Sequence, residues 1–189
     1  MTQTRRQAIL DTAIALFRQK GLPQTATRDV TETLGISRSH IYHYFPNWQA
    51  LCLAALDHFL KTDLQSAEEE LQDMPAREAL SLLIEWFLPH RIDPDWLLYS
   101  DIWQASMRDE AWKKLTLEHT AGWNGQFQKV IQQGIDEGIF QPLDAARTAR
   151  QLCALVNGYA DLLSLDPDPV LRAQAIEDID QMVRLISTH

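Results

Sequence analysis

The side chains best suited to recognition chemistry lie within residues 25–45, where hydroxyl, imidazole and phenol groups recur at short spacing. Ser39 and His43 are four residues apart and therefore share one face of a helix. The opposite face carries the apolar residues Ile41 and Phe45. Small and polar groups on an exposed helix suit the major groove of DNA, where they reach base edges and phosphates. This pattern favours a DNA-reading helix, and an ordinary helical hairpin with a solvated polar face is the alternative.

Two helices joined by a glycine turn must position these groups. Helical periodicity over residues 27–34 stops at Gly35, which adopts a positive φ without steric cost. Ser37 is a good N-cap for the next helix, because its hydroxyl can accept a hydrogen bond from a first-turn N–H. Arg28 and Arg38 lie near the two helix N-termini, where backbone amides already favour phosphate. The segment therefore predicts a helix-turn-helix.

Charge is divided unevenly along the chain. The 189 residues carry a formal net charge of −9, which argues against general affinity for nucleic acid. Residues 1–50 contain six Lys or Arg and three Asp or Glu, so this segment is +3 and the remainder is −12. A basic head on an acidic body suits a protein that presents only one end to DNA.

The sequence lacks the motifs of an assembled catalytic or metal site. GxSxG, HExxH, a P-loop and CxxC are absent, so we expect no enzyme and no cofactor. His40 and His43 have no third metal ligand at helical spacing beside them. No run of about 18 or more uncharged apolar residues and no secretory signal occurs, which predicts a cytoplasmic protein without a membrane partner. Cys52 and Cys153 are predicted to be buried free thiols, with a redox sensor as the alternative.

Every convincing periodicity in the chain is helical, which predicts an all-α fold of nine helices. The first three form the head, and Pro, Gly and Asp positions divide the rest. We expect these later helices over residues 47–71, from near Pro75 to before Pro89, and over residues 94–107, 109–137, 144–165 and 169–187. We divide the chain into residues 1–46, a helix-turn-helix DNA-binding domain, and residues 47–189, a helical ligand-binding and dimerisation domain.

Three features of the first 60 or so residues follow one another in a characteristic order. A basic amphipathic helix ends in Phe and Gly (RRQAILDTAIALFRQKG), a Thr begins the second helix, and the third carries Ser-x-x-x-aliphatic-Tyr-x-His/Tyr-Phe. The first helix has a predicted buried stripe of Ile9, Ala13, Leu16 and Phe17. In order and spacing this segment resembles the TetR family of bacterial transcriptional regulators. The resemblance implies a three-helix DNA-binding head in a ligand-responsive regulator.

The resemblance also implies roles for individual residues. Contacts to phosphate are expected from Thr27, Ser37, Tyr42 and Tyr44, and the base-reading residues are expected among Arg38, Ser39, His40 and His43. One position departs from the family, which usually places a Lys just after the N-cap of the fourth helix, where this chain has Trp48. The indole of Trp48 either donates one uncharged hydrogen bond to phosphate or braces the fourth helix against the head.

The acidic body is rich in aromatic residues at helical spacing. Core packing is the simplest interpretation of most of them, yet buried indole N–H groups need partners, and this favours a ligand cavity between helices. The predicted ligand-binding residues are Trp86, Tyr99, Trp103, His119, Trp123, Phe127, Asn157 and Asp161.

Parts of the body resemble the effector-binding domain of the choline-sensing, BetI-type subgroup of TetR proteins. They are residues 96–115 and the segments GIDEGIFQPLD and LVNGYADLLSLDPDP. The resemblance implies a small-molecule effector. An aromatic box beside a carboxylate such as Asp101 or Asp161 would hold a cationic amine. A neutral aromatic compound, oriented by Asn157 and Asp161, is the alternative.

The last two helices have the composition of a subunit interface. The eighth is apolar nearly all round, and the ninth carries a stripe formed by Ile176, Ile179, Val183 and Ile186. We therefore predict a homodimer, with a monomer as the alternative. The predicted function is repression by a protein that binds a palindromic operator and leaves it when a small molecule binds, with activation as the alternative. The competing hypothesis is a helical module that sequesters a small molecule or protein and has a weak or vestigial DNA head.

Overall fold

The computed structural model describes residues 4–188, and this part of the chain contains nine α-helices. They are α1 Arg5–Lys20, α2 Thr27–Leu34, α3 Arg38–Tyr44, α4 Trp48–Leu71, α5 Ala76–Trp86, α6 Pro94–Ser106, α7 Glu110–Asp136, α8 Ala145–Leu165 and α9 Pro169–Ile186. The predicted all-α fold is confirmed, and the predicted helix limits lie within a few residues of the observed ones. Phe140 and Ser187 form an isolated antiparallel bridge near the end of the described chain.

Local signals in the sequence explain where the helices begin and end. The Ser37 hydroxyl accepts a hydrogen bond from the His40 N–H at 3.4 Å, which caps α3 as predicted. The Asp144 carboxylate does the same for α8, accepting from the Arg147 N–H at 3.0 Å. Gly35 ends α2 in the left-handed region, with φ of 63°, so a residue without a Cβ is favoured there.

The chain forms two compact units. One combines the described residues through Gln65 with Pro94–His119, and the other combines Ser66–Asp93 with the described residues from Thr120 onward. The first unit therefore contains α1, α2, α3, α6 and the beginnings of α4 and α7. The functional boundary that we placed after residue 46 lies inside the first unit and stays a prediction.

The core of the first unit is built around α1. The predicted stripe of α1 is buried, and α3 contributes Ile41, which is 0% exposed, while Phe45 follows directly after α3. Removing an aliphatic side chain of this size from water contributes about 1.5–3 kcal/mol. Other buried members of this core are Leu10, Ile14, Val30, Leu51, Leu56, Phe59, Leu98 and Ile102.

The second unit is organised around the packing of α8 on α9. From α8, Leu152, Val156 and Leu163 are buried, and from α9 Ile179 is buried. A hydrogen bond from the Tyr159 hydroxyl to the Asp178 carboxylate also joins the two helices. Several large apolar side chains of this pair nevertheless remain exposed, namely Leu162, Leu165, Val170 and Leu185.

One close approach in the second unit requires glycine. A Cβ on Gly134 of α7 would lie 2.2 Å from Cδ2 of Phe140, a ring that is 1% exposed. Such a distance is far shorter than van der Waals contact, and a packed ring cannot move freely away. Gly125 lies on the same helix and has no atom within 4 Å of its corresponding position.

We predict opposite effects for alanine at these two positions of α7. Gly134→Ala should lower the free energy of unfolding by about 1–3 kcal/mol because the ring of Phe140 must shift. Gly125→Ala should raise it by about 0.4–1 kcal/mol, since alanine restricts the unfolded chain without meeting any neighbour. Urea unfolding of both variants measures the difference, and equal changes in the midpoint would contradict this packing.

Candidate nucleic-acid interface and effector-binding residues

Helix α3 presents a polar face outward and an apolar face inward. Ser39 and His43 are exposed, and Tyr42 is 43% exposed, whereas Ile41 is fully buried. Seven residues form about two turns, too few for a helix that is stable in isolation. The core beneath Ile41 therefore holds the exposed polar groups in a fixed orientation.

The remaining predicted DNA-binding residues lie around this face. Ser37 and Arg38 are exposed at the start of α3, and the Ser37 and Ser39 hydroxyls are 2.8 Å apart. Thr27 is buried at the start of α2. Tyr44 is half-buried, and its ring packs against the His43 ring with centroids 5.1 Å apart.

His40 is half-buried, and its ring lies 5.8 Å from the Tyr44 ring. The His40 Nε2 atom is enclosed without a hydrogen-bond partner among residues 4–188. Because an enclosed nitrogen cannot reach a base edge, the His40 ring must turn before this atom can contact DNA.

Some basic side chains of the head form ion pairs with neighbouring acidic side chains. Arg28 pairs with Glu32 at 2.6 Å, and Lys20 pairs with Asp29 at 2.5 Å. Both pairs are substantially exposed, so a phosphate can compete for the cations at little cost. Arg38 is exposed at the N-terminus of α3, where the helix dipole also favours an anion.

Trp48, the first residue of α4, packs against the core of the head. Its ring lies 6.1 Å from the Phe17 ring, edge to face, and the residue is half-buried. This packing agrees with one of the two interpretations of Trp48, in which its indole braces the fourth helix against the head. A contact between Trp48 and phosphate stays a prediction.

Two of the predicted ligand residues, Tyr99 and His119, contact each other in the first unit. Their rings stack at 5.4 Å with an interplanar angle of 25°. The Tyr99 hydroxyl donates a hydrogen bond to Asp63 at 2.5 Å, and burial raises the pKa of both Tyr99 and Asp63. Burial lowers the pKa of His119 to about 4, so its imidazole is neutral at pH 7.

The predicted ligand residues did not include four members of this cluster, namely Phe59, Asp63, Asp95 and Trp96. The ring centroids of Phe59 and Tyr99 are 5.4 Å apart, and those of Trp96 and Tyr99 are 5.7 Å apart. Phe59 and Asp63 lie four residues apart on α4, so helical spacing already placed them on one face. Nothing in the sequence linked that face to α6.

Two other residues of α6 do not join the cluster as the sequence suggested. Trp103, a predicted ligand residue, is 53% exposed. Asp101, considered as a partner for a cation, accepts a hydrogen bond from the Leu22 N–H at 2.9 Å. Its carboxylate therefore fixes the corner between α1 and α2.

The other predicted ligand residues belong to the second unit. The ring of Phe87 contacts both Trp123 and Phe127, with centroids 5.1 and 5.6 Å apart, so these residues form an aromatic cluster. Trp86 is half-buried, whereas Asn157 and Asp161 are exposed on α8. The Asn157 amide donates to the Cys153 carbonyl oxygen at 2.8 Å.

The second unit also has an open groove of about 680 Å³ along α7, and none of the predicted ligand residues lines it. It is lined by Gly125, Gln128, Lys129, Gln132, Gln133, Asp136 and Glu137.

Cys52 and Cys153 are buried free thiols, as predicted. Burial raises the pKa of each thiol to about 12, which keeps both protonated and poorly nucleophilic at neutral pH. Within residues 4–188, no cluster of three potential metal-ligating side chains occurs. None of the helices described there is both long and apolar enough to cross a membrane.

The exposed polar helix on a three-helix core defines a class of protein, the helix-turn-helix DNA-binding regulators. Comparison with models of known families then identifies the family. Residues 9–55 match the bacterial regulatory proteins of the tetR family, and residues 76–187 match the C-terminal domain of BetI-type transcriptional repressors. The chain belongs to the TetR family and has a BetI-type C-terminal domain. It is a DNA-binding transcriptional regulator and not an enzyme.

Individual relatives agree with this assignment. The HTH-type transcriptional regulator LuxR of Vibrio harveyi is 22% identical over 183 residues, covering 85% of this chain and 89% of that protein. A transcriptional regulator from Saccharomonospora viridis, solved in complex with choline, has a TM-score of 0.83 at 23% identity and covers 97% of this chain and 98% of its own. A TetR regulator from Haloarcula marismortui has a TM-score of 0.84 at 18% identity, with coverage of 97% and 98%. These structures show the shared fold.

The neutral state of half-buried His119 predicts a specific dependence of stability on pH. The unfolded chain binds a proton at His119 near pH 6.5, whereas the folded chain does so only near pH 4. The free energy of unfolding should therefore fall as pH drops from 6.5 to 4. Because His119→Gln removes this titration, it should reduce the loss by up to about 3 kcal/mol.

Urea unfolding between pH 7 and pH 4 measures this effect. His90→Gln, which changes an exposed histidine, is the matched control and should retain the wild-type pH profile. Parallel stability profiles for wild type and His119→Gln would contradict a neutral, half-buried imidazole.

Proposed function

We propose that this protein is a homodimeric repressor that binds a palindromic operator and leaves it when a small molecule binds the helical body. The observation that carries the proposal is α3, whose polar residues are exposed while Ile41 is fully buried. Two such helices, related by a two-fold axis, would enter successive major grooves about 34–36 Å apart. We place the protein in the cytoplasm, where it can reach genomic DNA.

The proposed contacts with DNA come from α3 with its cap and from the beginnings of α2 and α4. Arg38, Ser39, His40 and His43 are the proposed base readers, and Thr27, Arg28, Ser37, Tyr42, Tyr44 and Trp48 are the proposed phosphate contacts. Hydroxyl and imidazole groups provide both donors and acceptors, which the major groove can match. Operator affinity should fall steeply with salt, since cations on the protein replace counterions on DNA.

The proposed dimer forms through α8 and α9. Leu162, Leu165, Val170 and Leu185 are exposed on this pair of helices, with exposed fractions from 51% to 82%. Large apolar side chains exposed on one helix pair favour contact with another protein surface. Matching helices from a second copy would cover them in an isologous interface.

The proposed effector is a cationic amine or an aromatic compound. The candidate contacts in the first unit are Tyr99, Trp103 and His119, and those in the second are Trp86, Trp123, Phe127, Asn157 and Asp161. Aromatic faces bind cations through their quadrupoles, and they equally pack against flat apolar ligands. The choline bound by the relative from Saccharomonospora viridis supports the cationic class.

The experiment that tests the proposal is a selection of retained sequences from random DNA duplexes, followed by anisotropy titrations on the enriched sequence. Wild type should enrich a palindrome. His43→Ala and Tyr42→Ala should each weaken binding to that palindrome by more than about 1 kcal/mol, because each loses hydrogen bonds to DNA. His90→Ala, which removes an exposed histidine of the second unit, should leave the affinity unchanged.

A folded, dimeric wild-type protein that enriches no sequence would contradict the proposal. That result would favour a sequestering module, and Trp48→Lys would then test whether the missing charge accounts for a weak head. Full operator affinity in both His43→Ala and Tyr42→Ala would instead contradict the assignment of the reading face.

A further inference from the structure

The guanidinium group of Arg18 lies on a surface that has the chemistry of a cation-binding site. Its Cζ atom is 5.2 Å from the centroid of the Phe59 ring, within the range of a cation–π interaction. Arg18 also makes a two-pronged ion pair with Asp95, in which the Nη2–Oδ2 distance is 2.9 Å. Arg18 belongs to α1, whereas Phe59 and Asp95 belong to α4 and α6. A cation from the DNA-binding head thus occupies a surface provided by two other helices.

The groups around this guanidinium favour positive charge. Asp63 interacts electrostatically with both Arg18 and Asp95, so two carboxylates lie near one guanidinium. Tyr99 donates its hydroxyl hydrogen to Asp63 and thereby supports the carboxylate. His119, stacked on Tyr99, is neutral because burial lowers its pKa to about 4, so it does not repel a cation at pH 7.

A ligand from solution can reach this surface. The side chains of Arg18 and Asp95 are 42% and 40% exposed. Water screens an ion pair of this exposure, and such pairs contribute little to stability. Displacing Arg18 therefore costs far less than displacing a buried charge, and the released guanidinium can be solvated at once.

We propose that a free organic cation competes with Arg18 for the surface formed by Phe59, Asp63, Asp95 and Tyr99 and so breaks the ion pair that joins α1 to α6. This inference rests on the proposed effector-controlled operator binding and names both the class of effector and the contact that it breaks. Arg18 is a tethered competitor for the same site. Its presence weakens cation binding, and its displacement is the signal passed to the head.

Arg18 is well placed to transmit such a signal. It lies near the end of α1, and the Asp101 carboxylate of α6 holds the adjoining corner through the Leu22 N–H at 2.9 Å. Lys20 of α1 pairs with Asp29 of α2 at 2.5 Å. When Arg18 leaves Asp95, one of the two polar connections described here between α6 and this corner is lost. The corner of α1 and α2 can then shift as far as the apolar core that it shares with Leu98 and Ile102 of α6 allows.

The first test measures cation affinity in the absence of DNA. The probe is ethylguanidinium, which carries the same head group as arginine, and the readout is the NMR signal of the Trp96 indole N–H, assigned with Trp96→Phe. Trp96 lies 5.7 Å from Tyr99, centroid to centroid, and so reports on this surface. Arg18→Ala should bind the probe at least about tenfold more tightly than wild type, because the tethered competitor is gone.

Two controls make this test specific. Arg6→Ala removes another α1 guanidinium that lies 5.2 Å from a phenylalanine ring, that of Phe45, and should leave the affinity unchanged. Ethylurea, the neutral isostere of the probe, should not bind at these concentrations. If Arg18→Ala does not fold, Arg18→Gln carries the same expectation while keeping the alkyl stem. Equal probe affinity in wild type and the Arg18 variant, or equal binding of ethylurea, would overturn the proposal.

The second test uses the selected operator and separates this inference from the proposed function. Ethylguanidinium should release the operator from wild type. Arg18→Ala already lacks the contact, so it should bind the operator more weakly than wild type without the probe, and the probe should change its affinity at least about tenfold less. Release from both proteins at the same probe concentration would overturn the link to the head. Absence of operator binding by wild type would contradict the proposed function, whereas the affinity comparison without DNA would still decide whether Arg18 competes with cations.

Discussion

The burial of Ile41 is the constraint on which DNA recognition depends. A helix of seven residues does not hold its shape alone, so α3 exists because its apolar face packs on α1, α2 and the beginning of α4. The same packing directs the hydroxyl and imidazole groups outward with little freedom to reorganise. Rigid presentation lowers the entropy that binding DNA would otherwise cost. Loss of the core would therefore remove recognition without touching a single contact to DNA.

The proposed control of the head depends on a different kind of contact, which is polar rather than apolar. The Arg18–Asp95 ion pair and the Leu22–Asp101 hydrogen bond are polar and partly exposed. They add to the apolar packing of Leu98 and Ile102 of α6 in the core that α6 shares with α1. Apolar packing joins the head and α6 in one core, whereas these two polar contacts are partly open to solvent. Polar contacts at a partly exposed surface are those that a charged ligand can replace. This division allows the head to keep its shape while its attachment changes.

Much of the fold was predictable because its signals are local. Helical periodicity predicted the nine helices of residues 4–188 to within a few residues. Gly35 and the Ser37 cap located the turn between α2 and α3. The polar face of α3 followed from the spacing of Ser39 and His43. The surroundings of Tyr99 did not, since its partner Asp63 lies 36 positions away and no periodicity connects α4 with α6. The role of Asp101 was missed for the same reason, because a carboxylate that accepts a hydrogen bond from a distant backbone N–H leaves no local pattern.

Methylation protection of guanine N7 on the selected operator tests the central claim most directly, because N7 lies in the major groove that α3 is expected to read. Bound wild type should protect guanines in two patches related by a dyad and separated by about 10 base pairs, one for each subunit. Protection of a single patch, or of guanines scattered without symmetry, would contradict a dimer that places two α3 helices in successive major grooves.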